Sequence, residues 1–257
     1  MKKLISLLCV LVLVLSLTAC GAKQEKTELT VFAAASMTET MQQIADLYAK
    51  DHPDVTITYT FDSSGTLKTQ IAEGAQCDLF ISAAQKQMDA LSELGLIDED
   101  TRRDILENKV ALVVPDGNPA GIESFNDILS DKLSLLTIGN SDVPVGQYTL
   151  DIFDYLGVTA QELESEGKLT YGTNVKEVTT QVSESAADAG IVYATDAFSA
   201  NLQIVDEATP EMTRQIIYPA AVLKASKNAD AAKELLAFLQ TDEAMTVFEA
   251  VGFAPVS

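Results

Sequence analysis

The sequence predicts an α/β protein of two lobes, each a mostly parallel sheet flanked by helices, joined by two hinge strands. Three observations predict it. Short apolar runs alternate with amphipathic segments from Leu29 onward. The series resets at Val110 and runs a second time. A late apolar strand over 216–223, followed by two helical segments, then closes the chain. Strands alternating with helices imply parallel sheets covered by helices.

In order, residues 29–33 (LTVFA) read as a buried strand, and Met37, Met41, Ile44 and Tyr48 recur at helical spacing up to His52 and Pro53. Residues 55–61 alternate as a strand. Leu67 and Ile71 share a face of a short helix that stops at Gly74. Residues 78–82 are strand-like, and Met88, Leu91 and Leu94 mark a helix stopped by Gly95. The second series opens with strand 110–114, ended by Pro115. It continues through strand 133–138, helix 148–156, a helical turn to Gly167, strand 169–171, helix 175–183 and strand 189–192. Strand 216–223, interrupted by Pro219, leads to helices 231–240 and 244–250. The first lobe is expected at 29–108 plus 220–257 and the second at 109–219. Strands near 110–114 and 217–222 are expected to cross between them.

The N-terminus predicts a secretory signal over 1–19. Lys2 and Lys3 precede an apolar run over 4–17, and small residues follow. Spanning a bilayer needs ~20 apolar residues, so the run is short for that. Of the three cysteines, Cys9 lies in the signal and Cys20 follows Leu17-Thr18-Ala19, a stretch that resembles the lipobox of bacterial lipoproteins. That resemblance implies cleavage before Cys20, lipidation of its thiol, and a polar tether over 20–28. Cys77 is left without a disulfide partner and reads as a small buried hydrophobe.

Acidic residues number 38 against 17 basic ones, for a net charge of −21. Such a surface excludes nucleic acid as a partner. An anion site on this chain must therefore be local and shielded. Four segments could supply one, because each places a hydroxyl, amide or proline between a strand and a helix: 33–39 (AAASMTE), 62–67 (DSSGTL), 143–148 (VPVGQY) and 172–177 (GTNVKE). Ser36 with Glu39, and Asn174 with Glu177, have the spacing of a capping box, and Pro144 is placed to open a helix. Taken singly, each is an ordinary helix cap. Together they lie where open α/β sheets bind ligands, beyond the carboxyl ends of the strands. Helix N-termini carry unpaired N–H groups and about half a positive charge, so they hold oxyanions without lysine or arginine. A fifth segment, 188–196, ends a strand at Tyr193, whose phenol can donate one hydrogen bond.

The segments AAASM (33–37), SSGTL (63–67), CDLFISA (77–83), VPVGQY (143–148) and GIVYATDA (190–197) resemble the periplasmic molybdate-binding proteins of bacterial ABC importers. The likeness runs from about Leu29 to Phe253. It implies a periplasmic-binding-protein-like fold whose lobes close over molybdate or tungstate, held by neutral donors. Carried over by position, Ser36 and Ser64 would each give a hydroxyl and an N–H, Val145 and Val175 an N–H, and Tyr193 its phenol. The resemblance departs at Val145, where the family carries alanine, but only the N–H is needed there. It departs again at Asp62, which is expected to face outward. It further implies an ABC permease and ATPase as partners, a monomer anchored outside the cytoplasm through Cys20, no cofactor, and no metal except as the oxyanion.

Other classes find less support. G-x-S-x-G, H-E-x-x-H and P-loop motifs are absent, and S-x-x-K occurs only at 165–168 in a polar turn. One histidine, His52, and one remaining cysteine cannot build a His/Cys metal cluster. Arg102, Arg103 and Arg214, the only arginines, lie outside the five segments, which argues against an organic carboxylate as ligand. Sulfate or phosphate remains the alternative cargo.

Overall fold

The computed structural model describes residues 26–256, so the signal segment, Cys20 and the tether up to residue 25 lie outside the described residues. Two sheets form the architecture. The first is six-stranded, in the order β11-β4-β10-β3-β1-β2, from β1 (Thr27–Ala34), β2 (Val55–Asp62), β3 (Leu79–Ile81), β4 (Arg103–Asn108), β10 (Ile216–Val222) and β11 (Ala254–Pro255). The second is five-stranded, in the order β7-β6-β8-β5-β9, from β5 (Val110–Val114), β6 (Leu136–Gly139), β7 (Leu169–Gly172), β8 (Ala189–Tyr193) and β9 (Gln203–Glu207).

The parallel part of each sheet is three strands: β2, β1 and β3 in the first, and β7, β6 and β8 in the second. Beyond these, both sheets turn antiparallel. The strand entering just after a crossover, β10 or β5, lies against the last parallel strand. The two sheets therefore repeat one plan.

The chain passes between sheets twice, at Asn108–Val110 between β4 and β5, and over 208–215 between β9 and β10. This corrects the expected boundary at 219/220 and the reading of strands 110–114 and 217–222 as crossings. Strand β10 belongs whole to the first sheet and β5 whole to the second. Pro219 marks a register shift beside Tyr218 within β10.

Helices cover the sheets. In the first lobe these are α1 (Thr38–Asp51), α2 (Ser64–Ala72), α3 (Gln85–Glu93), α8 (Ala229–Phe238) and α9 (Asp242–Glu249). In the second they are α4 (Pro144–Leu156), α5 (Ala160–Ser165), α6 (Val175–Ser183) and α7 (Ala194–Ser199). Helix α1 shows why the sequence folds so. Met41, Ile44 and Tyr48 form its buried stripe, each worth ~1.5–3 kcal/mol on burial, and its chain turns out where His52 stacks on Tyr48 at 4.0 Å. In α3, Met88 and Leu91 are buried while Leu94, expected on the same face, lies past the helix end and is exposed. Helix α4 begins at Pro144, four residues before the expected start, because proline fits the first helical position and needs no N–H partner there. Cys77 is buried as expected, its thiol donating to the Leu79 carbonyl and pushed up to about 12 by burial.

Candidate oxyanion site

Strands β1, β2 and β3 end in register, with Ala34 beside Asp62 and Ala33 beside Ile81. Just beyond these ends, and facing the matching ends of the second sheet, lies a small cavity of about 10 Å³. Ala34, Ala35, Ser36, Asp62, Ser63, Ser64 and Ala83 line it from the first lobe, and Val143, Pro144, Val175 and Tyr193 from the second. No lysine, arginine or histidine lines it.

Four of the five expected ligand residues, Ser36, Ser64, Val175 and Tyr193, reach this wall. Val145 stands one residue inside it, behind Pro144 at the start of α4. Its N–H and that of Val175 fall in the first turns of α4 and α6, where no intrahelical carbonyl is available to them. Ser64 opens α2 in the same way, while Ser63 is the cap, its hydroxyl accepting from Thr66 N–H at 3.1 Å. Asn174 caps α6, accepting from Glu177 N–H at 3.1 Å, but the expected box does not close, because the Glu177 carboxylate takes the Thr173 N–H at 2.7 Å.

The capping box expected at Ser36 does not form. Ser36 sits in a short 3-10 turn, Ala35–Met37, and its hydroxyl meets the Tyr218 hydroxyl at 2.9 Å. Glu39 instead reaches the other lobe, accepting from Lys176 Nζ at 2.8 Å. Asp62, expected to face outward, borders the cavity, with its Oδ1 taking the Ser63 N–H at 2.7 Å.

Ala83 joins both lobes' hydroxyls and was not foreseen. Its N–H donates to Ser64 Oγ at 2.9 Å, and its carbonyl accepts from the Tyr193 hydroxyl at 3.4 Å. The Ser64 oxygen is thereby engaged as an acceptor, which leaves its proton for the cavity. Tyr193 is buried, and burial raises its phenol well above the usual tyrosine value, so it stays protonated; its one proton points to the Ala83 carbonyl over a long 3.4 Å, and an anion in the cavity would have to draw it away.

The lobes meet closely around the cavity. Gly65 N–H donates to Asp142 O at 3.0 Å across the cleft. A Cβ on Gly65 would fall 2.3 Å from that oxygen, so only glycine allows the approach. Tyr193 packs edge-on against Tyr148 of its own lobe at 6.4 Å and Tyr218 of the other at 5.8 Å. Arg214 lies over the far Tyr148 ring and pairs with Asp151, away from the cavity.

The profile of the bacterial extracellular solute-binding protein family matches residues 29–254. The chain belongs to this family. Among its relatives is the "Putative ABC transporter substrate-binding lipoprotein YvgL" of Bacillus subtilis (strain 168), 35% identical over 98% of both chains. The molybdate-binding protein ModA of Haemophilus influenzae is 34% identical over 88% of this chain and 90% of its own. A solved structure titled "substrate binding domain of putative molybdenum ABC transporter from Clostridium difficile" superposes with a TM-score of 0.69 at 35% identity. It covers 90% of this chain and 100% of its own. The chain is thus an extracellular solute-binding protein with the two-lobed fold of its relatives, a transport component by family rather than an enzyme.

Proposed function

We propose that this protein captures molybdate or tungstate between its lobes and delivers it to the permease and ATPase of an ABC importer. The observation that carries the reading is the cavity wall, where hydroxyl groups and helix N-termini from both lobes converge and no cationic side chain lines it. The relatives named for molybdate, and the YvgL lipoprotein, support the same reading. Ser36, Ser64, Val145, Val175 and Tyr193 supply about seven donors. A hydrogen bond to a charged group is worth ~1.5–3 kcal/mol net, so they supply on the order of 10–20 kcal/mol before association costs. Submicromolar binding needs only ~8–12 kcal/mol.

A wall of donors suits a fully deprotonated dianion. The proton of hydrogen phosphate would lack an acceptor there, at a cost of ~1–3 kcal/mol. Asp62 is the one carboxylate at the wall, and its Oδ1 is occupied by Ser63 N–H. Sulfate carries the right charge on shorter bonds, so cavity size alone rejects it. A lipid on Cys20 would hold the protein at the outer face of the membrane. No helix among the described residues is long and apolar enough to cross one.

Isothermal titration calorimetry of the chain from Gly21, in buffer free of phosphate, tests the reading. Tight one-to-one binding of molybdate and tungstate, with little heat from sulfate or phosphate, is the expected result. Tight sulfate or phosphate would move the cargo, and silence from all four would reject the oxyanion site.

A further inference from the structure

Asp196, in α7, is a wholly buried carboxylate that lies outside the cavity wall, and neither of its oxygens has a hydrogen-bond donor among the described residues. Tyr193 stands three residues before it at the end of β8, and the Tyr193 and Tyr218 phenols lie within reach of its charge. The cation beside it is Lys176, whose Nζ is 3.2 Å from Oδ1. Lys176 directly follows Val175 in α6, and its ammonium donates instead to Glu39 of the first lobe, at 2.8 Å. Strand β5, which also packs on α7, carries no charged side chain. The acids of β9 are engaged elsewhere, Asp206 with Phe125 N–H and Glu207 with Lys109, and Glu177 of α6 takes the Thr173 N–H.

We propose that capture of the anion is coupled to uptake of a proton from solvent by Asp196. This rests on the oxyanion reading above and adds a proton to what the closed state binds. Two consequences of closure act in the same direction. Bringing the lobes together sets Glu39 against Lys176, which adds a negative charge near Asp196 and commits the ammonium's hydrogen bond to another carboxylate. The bound dianion then adds two more negative charges beyond Tyr193, in a region closed to water, where charges act more strongly than in bulk solvent. A buried carboxylate relieves such pressure by taking a proton. Once neutral, it leaves the Lys176 charge less compensated, one residue from the Val175 N–H, and so puts positive potential behind a wall that has no cation of its own. Burial already holds the Asp196 carboxyl at about 6, close enough to neutral pH to respond. Asp62, at the wall, is the rival acceptor, but it is only half-buried, and water screens its charge.

The test is calorimetric titration of the full chain with molybdate at about pH 6.5, in two buffers of different ionisation enthalpy, so that the heat reports protons taken up on binding. The anion-bound state holds the proton more tightly than the free state, so affinity is higher at low pH and falls as pH rises through the bound-state value. The wild type is expected to take up roughly half a proton per anion, and to lose affinity about two- to threefold between about pH 6.5 and pH 7.5. Asp196→Asn cannot titrate, so its uptake is expected to fall below about a tenth of a proton and its affinity to stay flat over that range. Asp62→Asn is expected to keep the wild-type uptake. If Asp196→Asn folds poorly, the Asp196 carboxyl carbon followed by NMR in the wild type serves, and its titration should move to higher pH when molybdate is added. No uptake by a wild type that binds molybdate, uptake that survives Asp196→Asn or is lost in Asp62→Asn, or an unmoved carboxyl titration overturns the coupling and leaves the functional reading standing. A wild type that binds no molybdate sinks that reading and the coupling with it.

Discussion

Each donor at the cavity wall makes a separate claim. Tyr193→Phe removes one hydrogen bond to the anion and should weaken molybdate binding by ~1–3 kcal/mol in calorimetric titration. Ser64→Ala should cost a comparable amount of binding and some stability as well. The stability loss comes from Ala83, whose buried N–H donates to Ser64 Oγ, and not from helix capping, which is the work of Ser63. Asp196 makes a claim about pH. It is fully buried, and its nearest cation, Lys176 Nζ, is 3.2 Å from Oδ1 without hydrogen-bond geometry. Burial raises this carboxyl to about 6, with Lys176 opposing the shift and Glu39 adding to it, while Tyr193 and Tyr218 also face it. The folded state therefore holds this proton more tightly than the unfolded chain. The stability it contributes is full below about pH 4 and is lost as pH rises through about 6. Asp196→Asn lacks that dependence, so its melting temperature minus that of the wild type should climb between about pH 4 and pH 6 and level off above. A difference flat across that range would show that Asp196 titrates normally. At this scale the sequence exposed Ser36, Ser64 and Tyr193, because each ends a strand or opens a helix. It could not expose Asn108 and Tyr218, whose contacts with the site join residues more than a hundred positions apart.

Among the elements, the helix N-termini were the most legible part of the site. Asn174 and Pro144 are local signals, and α6 runs from Val175 to Ser183 as its pattern predicts. Strand β4 escaped because its sequence, RDILEN, opens on two exposed charged residues and has no clean alternation. Short α7 follows Tyr193 with too few residues to show a period. Two glycines separate closure from folding. Gly65→Ala puts a methyl 2.3 Å from the Asp142 carbonyl of the other lobe, while alanine suits a helix better than glycine by ~1 kcal/mol. Its thermal stability without ligand should hold or rise, while its molybdate affinity falls on the order of tenfold or more. Gly146→Ala meets Gly139 O at 2.2 Å within its own lobe, so it should lower the melting temperature whether or not ligand is present. Unchanged affinity in Gly65→Ala would mean that the lobes need not approach this closely to bind.

In the whole molecule, the two-lobe plan was readable because the strand–helix series visibly restarts at Val110. The return crossing lies over 208–215, where no apolar pattern marks it, ahead of the expected boundary at 219/220. What the sequence left as a paradox, an anion site on a chain of net charge −21, the fold resolves by geometry. Asp62 is the one acid at the cavity wall, the buried Asp78 and Asp196 do not line it, and neutral dipoles converge where the lobes meet. Closure is spanned by few bonds: Gly65 to Asp142, Tyr193 to Ala83, Asn108 to Thr195, and the Glu39–Lys176 pair. The last is partly exposed and worth ~0–1 kcal/mol, so bound anion must supply most of the drive to close. The most direct test of a site built from neutral donors is a crystal structure of the chain with molybdate. The account predicts one anion between the lobes, within hydrogen-bond distance of the Ser36, Ser64 and Tyr193 hydroxyls and the Val145 and Val175 N–H groups, with no lysine or arginine touching it. An anion seated against a cationic side chain, or outside this cleft, would contradict it.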